Sequence, residues 1–94
     1  MSRYAEFQNG AQEQVASNLG WTQFGRWLDS LPPGAIPALK RLYDSGQSSE
    51  LSEIARQLEN ALRSVPPSDD VQHSAELLLQ ALRDNATSEL TITS

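Results

Sequence analysis

The sequence predicts an all-α domain: a compact bundle of four to five helices built on an antiparallel helical hairpin, with a flexible C-terminal tail. Three observations lead there. Leucine (13) and alanine (10) far outnumber valine and isoleucine (6 together), and side chains unbranched at Cβ lose less freedom in a helix than β-branched ones. From Ser49 to Ala86 apolar residues recur at three- and four-residue steps, the period of an amphipathic helix. Pro66-Pro67 interrupts that pattern once and briefly, so the helices on either side are expected to pack as a hairpin.

The 94 residues, 38% apolar and 20% charged with a formal net charge of −5, suit one small acidic domain. Residues 1–86 are assigned to it and 87–94 to the tail. A chain this size buries about two-thirds of its unfolded surface, enough for a modest core. The absence of cysteine excludes disulfide scaffolds, cysteine-ligated metal and thiol catalysis. No apolar stretch follows Arg3, so no signal peptide is expected, and the longest apolar run, Leu77-Leu78-Leu79, is far short of a membrane span. A cytoplasmic location is the expectation.

Taken in order, the first helix is expected over Ser2 to Leu19, with Tyr4, Phe7, Ala11 and Val15 on one face and Gly20 as its left-handed stop. Gly10 within it costs about 1 kcal/mol relative to alanine. Thr22 caps a second stretch carrying Phe24, Trp27, Leu28 and Leu31, which Pro32-Pro33-Gly34 ends. A short third helix opens at Pro37, buries Ile36, Leu39, Leu42 and Tyr43, and stops at Gly46. Helices below about 12–15 residues are marginal alone, so these short ones must gain order by docking. The fourth, Ser49 to Val65, has a stripe of Leu51, Ile54, Ala55, Leu58, Ala61, Leu62 and Val65. Ser48 or Ser49 caps it, Glu50 and Glu53 complement its positive end, and Glu59 precedes Arg63 in the favourable order. Ser68 caps the fifth, with Asp69 and Asp70 in its first turn and Val71, Ala75, Leu78, Leu79, Leu82 and Ala86 as its stripe. Asn85 to Ser94 is polar, with Leu90 and Ile92 alternating, and reads as mobile or as a strand that pairs with something else.

Little assembled chemistry is legible. His73 stands alone, without the second imidazole or cysteine that a zinc site draws on, and is read as a polar residue beside an acidic helix start. Asp69 and Asp70 are adjacent acids of the kind a helix dipole favours at any N-terminus. No phosphate-binding glycine loop, nucleophile elbow or metalloprotease motif occurs, and the serines have only His73 as a candidate base. No enzyme, metal or cofactor is expected.

Leu51-Ser52-Glu53-Ile54-Ala55-Arg56-Gln57-Leu58 resembles the first helix of a helix-turn-helix, and Ala38 to Gly46 is similar to the helix that precedes such a motif in winged-helix regulators. The resemblance implies, as the alternative function, a DNA-binding regulator. The chain departs from the pattern where Glu59 replaces the turn glycine and Pro66-Pro67 cuts off a recognition helix. Few cations are present to meet phosphates, so nucleic acid is not the expected partner.

The leading expectation is a non-enzymatic module that binds another protein, or a second copy of itself as a homodimer, by docking a helix face. Leu77 lies about 100° outside its helix's main stripe, with Ser74 and Ala81 on the same flank. Trp21, Arg26 and Arg41 lie in the only segment with a positive balance and are of the residue types that anchor interfaces. Trp21, placed just ahead of the Thr22 cap, is expected to be partly exposed.

Overall fold

In the computed structural model, which describes residues 2–85 and 89–93, the N-terminal stretch is a β-hairpin and not the expected helix. β1 (Ser2–Phe7) pairs antiparallel with β2 (Gln12–Ser17). Gln8, Asn9 and Gly10 form the loop, closed by Phe7 N–H donating to Ala11 O (2.9 Å) and Gly10 N–H to Phe7 O (2.9 Å). Gly10 sits at φ 89°, a conformation that side chains resist, and the Asn9 side chain accepts from Ala11 N–H (3.0 Å). That is the three-residue hairpin loop with glycine in the left-handed position.

The tail expectation is corrected as well. β4 (Leu90–Thr93) is an interior strand, antiparallel both to β1 and to the two-residue β3 (Gln47–Ser48), giving the order β2-β1-β4-β3. Ala5 opposite Ile92 and Phe7 opposite Leu90 face the helices, while Glu6, Gln12 and Gln14 face solvent. Such alternation is what a sheet with one buried face requires. Ala86, Thr87 and Ser88, which the helical and tail expectations covered in part, lie outside the described residues, as do both termini.

The chain is therefore a mixed α and β fold, not an all-α helical bundle. Among the described residues it has four α-helices, α1 (Asn18–Asp29), α2 (Pro37–Ser45), α3 (Leu51–Ser64) and α4 (Asp69–Asp84), and a 3-10 turn at Pro33–Ala35. None of the helices is long and apolar enough to cross a membrane. The start of α1 differs from expectation because Ser17, not Thr22, caps it, accepting from Gly20 N–H at 3.0 Å. Gly20 is thus in the first turn. Gly46 does end α2 in the left-handed conformation, φ 75°, with its N–H donating to Leu42 O. α3 starts at Leu51 with Glu50 as its N-cap and no side-chain cap bond, so neither Ser48 nor Ser49 caps it; Ser48 instead accepts from Glu50 N–H (2.9 Å) in the turn ahead of the helix.

Phe24, Leu28, Ile36, Leu39, Leu42, Ile54, Leu58, Leu78, Leu90 and Val15 are fully buried, each worth about 1.5–3 kcal/mol relative to exposure. Four polar contacts fix how the elements meet around them. Buried Gln57 on α3 accepts from Ala38 N–H (2.9 Å) and Leu39 N–H (3.1 Å), supplying the cap that α2, opened by Ile36 and Pro37, lacks in its own sequence. The Trp27 indole donates to Val65 O (2.9 Å) and ties α1 to the proline elbow. Tyr43 Oη donates to Trp21 O (3.2 Å), its ring lying over Gly25. Asn85, just past α4, donates to Glu13 Oε2 (2.7 Å) and accepts from Asn9 (3.4 Å), joining that helix to the hairpin.

Candidate interaction groove

β2 is an edge strand, and its geometry follows from its pairing. Phe7 and Ala11 close the loop, so two residues further along Ala5 and Glu13 form the next hydrogen-bonded pair. In an antiparallel ladder the residues between such pairs turn their backbone groups outward. For β2 these are Gln12 and Gln14. The register then shifts, with Arg3 opposite Ala16 but Tyr4 opposite Gln14, leaving Val15 as the extra residue of a bulge. The bulge puts Val15 and Ala16 both into the core and carries the strand directly to the Ser17 cap.

Beside this edge runs an open groove of about 640 Å³, with Gln14 to Ser17 along one wall, Asp70, His73, Ser74 and Leu77 of α4 along the other, and Leu19, Gly20 and Gln23 of α1 at its end. At Gly20, which faces α4, an added Cβ would meet Ser74 Oγ at an ordinary contact distance of 3.5 Å and would crowd only the cap of its own helix, 3.1 Å from Ser17 Oγ. Leu19 is 68% exposed and Leu77 36% exposed, two of the three large exposed apolar side chains among the described residues. The third, Val65, borders a smaller apolar hollow of about 170 Å³ with Leu31, Ile36 and Ala61.

Only part of the site expected from sequence comes together. Ser74 and Leu77 line the groove, Ser74 buried and Leu77 at its surface. Ala81 is buried in the core. Trp21 is buried too, stacked on Phe24 (5.2 Å between centroids) and Tyr43 (5.3 Å). It is enclosed because α1 starts at Asn18, which puts Trp21, Phe24, Gly25 and Leu28 on one helical stripe. Arg26 is exposed in the last turn of α1, and Arg41 is exposed but held by Glu50 through two hydrogen bonds (3.0 and 2.6 Å). No surface shared by Trp21, Arg26 and Arg41 is therefore presented.

The electrostatics of the groove are one-sided. Asp70 makes no ion pair among the described residues, Asp69 and Glu76 are exposed on the same helix, and no lysine or arginine lines the walls. The cations of α2 and α3 are largely engaged elsewhere: Lys40 with Asp29 and Asp44, Arg41 with Glu50, Arg56 with Glu53. Hydrogen bonding to Arg56, reinforced by its charge, holds the Glu53 carboxyl below the usual glutamate range. His73, Ser74 and Asp70 share one stretch of helix, yet no hydrogen bond joins the imidazole to Asp70, Ser17 or Ser74, and Ser17 Oγ is occupied as the cap of α1. No group of three or more metal-ligating side chains occurs among the described residues.

The residues that sequence reasoning missed are Gln14 to Ser17, Leu19 and Gln23. The signal that announces them is Asn9-Gly10 flanked by Tyr4-Ala5-Glu6-Phe7 and Gln12 to Val15, a hairpin turn between alternating strands. No protein-family model matches the chain, and no curated protein or solved structure matches it at a significant level.

Proposed function

We propose that the protein is a non-enzymatic interaction module whose protein partner seats in the groove between β2 and α4. The reading rests on one coincidence: two exposed leucines, Leu19 and Leu77, flank a groove bordered by a strand edge that pairs with no other segment among the described residues. Solvent-exposed leucine singly needs no explanation, but a pair bordering a concave, partly apolar surface is the form a docking site takes. Catalysis is less well supported, since among the described residues His73, the only histidine in the sequence, forms no hydrogen bond to a hydroxyl that it would activate. The test is selection of random 12-residue peptides displayed on phage against the folded protein, repeated with the Leu19→Asp/Leu77→Asp variant. Both sites are exposed enough for that variant to keep its circular dichroism spectrum. Peptides enriched on the parent and lost on the variant support the reading. Equal enrichment on both, or none on either, removes it.

A further inference from the structure

The mode of docking can be taken one step further, on the basis of that reading. We infer that the occupant is an extended, basic segment of a partner polypeptide, which adds to the sheet as a fifth strand alongside β2. The backbone groups of Gln12 and Gln14 point away from β1, and among the described residues no other segment pairs with this edge. Unpaired strand edges are normally blunted by shortness, lysine, proline, a bulge or an inward-pointing charge. The opposite edge obeys that rule, since β3 is two residues long. β2 has six residues, no lysine and no proline; its bulge at Val15 leaves the Gln12 to Gln14 stretch in regular register, and its single charge, Glu13, points inward but is hydrogen-bonded by Asn85. A strand laid along Gln12 and Gln14 gains main-chain hydrogen bonds, and beyond Gln14 the bulge at Val15 directs it into the groove. Alternate side chains then face the helices, where an apolar residue rests between Leu19 and Leu77. A lysine or arginine further along meets Asp70, with Asp69 and Glu76 adding to the negative field.

The charges also argue against a second copy as the occupant. Pairing two β2 edges about a twofold axis brings the acidic α4 faces of two chains, each of net charge −5, to the same interface. A basic peptide instead relieves that field.

The experiment uses the full chain, shown to be monomeric by sedimentation, with the display library described above and synthetic copies of the enriched peptides. Enriched sequences are expected to alternate apolar and polar residues and to contain lysine or arginine. At saturation the amides of Gln12 and Gln14 should exchange with solvent at least tenfold more slowly, while amides of β3 are unchanged. Affinity should fall at least fivefold between 50 and 300 mM salt, with a shallower salt dependence in Asp70→Asn. Leu19→Asp should weaken binding at least tenfold while leaving the melting curve in place. Peptides that bind in a Leu77-dependent manner without protecting Gln12 and Gln14 overturn strand addition and leave groove docking standing. Salt-independent binding overturns the basic assignment. Protection of Gln12 and Gln14 that rises with protein concentration in the absence of peptide assigns the edge to a second copy and overturns the proposal. Absence of any enriched peptide overturns both readings.

Discussion

Gly25→Ala should destabilise the protein even though alanine is the better helix former. In the interior of α1 the exchange gains about 0.8–1 kcal/mol of helix propensity. The added Cβ, however, would lie 2.1 Å from Tyr43 Oη and 2.2 Å from Cζ, where ordinary contact begins near 3.4 Å, so the ring must withdraw by more than about 1 Å. Withdrawal breaks the bond to Trp21 O, worth about 0.5–1.5 kcal/mol net, and disturbs the stack on Trp21 and the tilted contact with Phe24, each worth about 0.5–1.5 kcal/mol. The net loss is about 0.5–3.5 kcal/mol, or roughly 2–28 °C in Tm for a domain of this size. Urea denaturation followed by circular dichroism reads it directly. Tyr43→Ala removes the obstacle, and in that background Gly25→Ala should stabilise by up to about 1 kcal/mol. The sign of one substitution reverses with the identity of its neighbour. Stabilisation by Gly25→Ala in the parent protein, or the same effect in both backgrounds, would refute the account of Gly25 as the seat of the Tyr43 ring.

Gln57→Leu, similar in volume but without an acceptor, strands the amides of Ala38 and Leu39 and should cost about 2–4 kcal/mol in the same assay. Gly10→Ala has free space around the new methyl group but must hold φ 89°, so it should cost about 1–2 kcal/mol, and Gly10→Asn less. Glu53 should titrate below the usual glutamate range in carbon-detected NMR and return toward it in Arg56→Gln. Because its folded-state pKa is lowered, its small contribution to stability is present above the unfolded value and is lost as pH falls through the folded one. Asn85→Ala should speed amide exchange in the β1–β2 loop, since it removes the bonds to Asn9 and Glu13.

The helices from Pro37 to Asp84 are legible because their signals are local: a 3.6-residue apolar period, glycine at a C-terminal stop, proline at the breaks. The strands are less so. Tyr4, Phe7, Ala11 and Val15 happen to fall at three- and four-residue steps, which suggests a helix, but Tyr4 faces away from the Ala5 and Phe7 side of the sheet. The discriminating cue, Asn9-Gly10, outweighs that spacing because glycine alone accepts the turn's positive φ readily. β4 was harder to anticipate, since its order comes from pairing with Tyr4 to Phe7 at the far end of the chain, a non-local contact that no window of sequence displays. The place of Trp21 depends on the same hairpin. Once Ser17 is seen as the cap, Trp21 moves inside the helix and onto its buried stripe.

The groove depends on the part of the chain whose local sequence signals are weakest. Leu77 is recognisable as lying off the main stripe of α4, but an off-stripe leucine becomes a groove wall only when something stands opposite it. That something is β2, which among the described residues makes its ladder bonds to β1 alone, and β1 is interior because β4 pairs along its other side. A two-stranded hairpin by itself is marginal in water, so the opening beside β2 requires the C-terminal strand, although no β4 residue lines it. Asn85 reinforces the dependence by holding Glu13 and Asn9 against the end of α4. Loss of Leu90 to Thr93 should therefore abolish peptide capture by Leu77 while the amphipathic pairing of α3 with α4 retains most of the helical signal. Binding that survives that truncation would place the partner on α4 alone and leave β2 without a part in it.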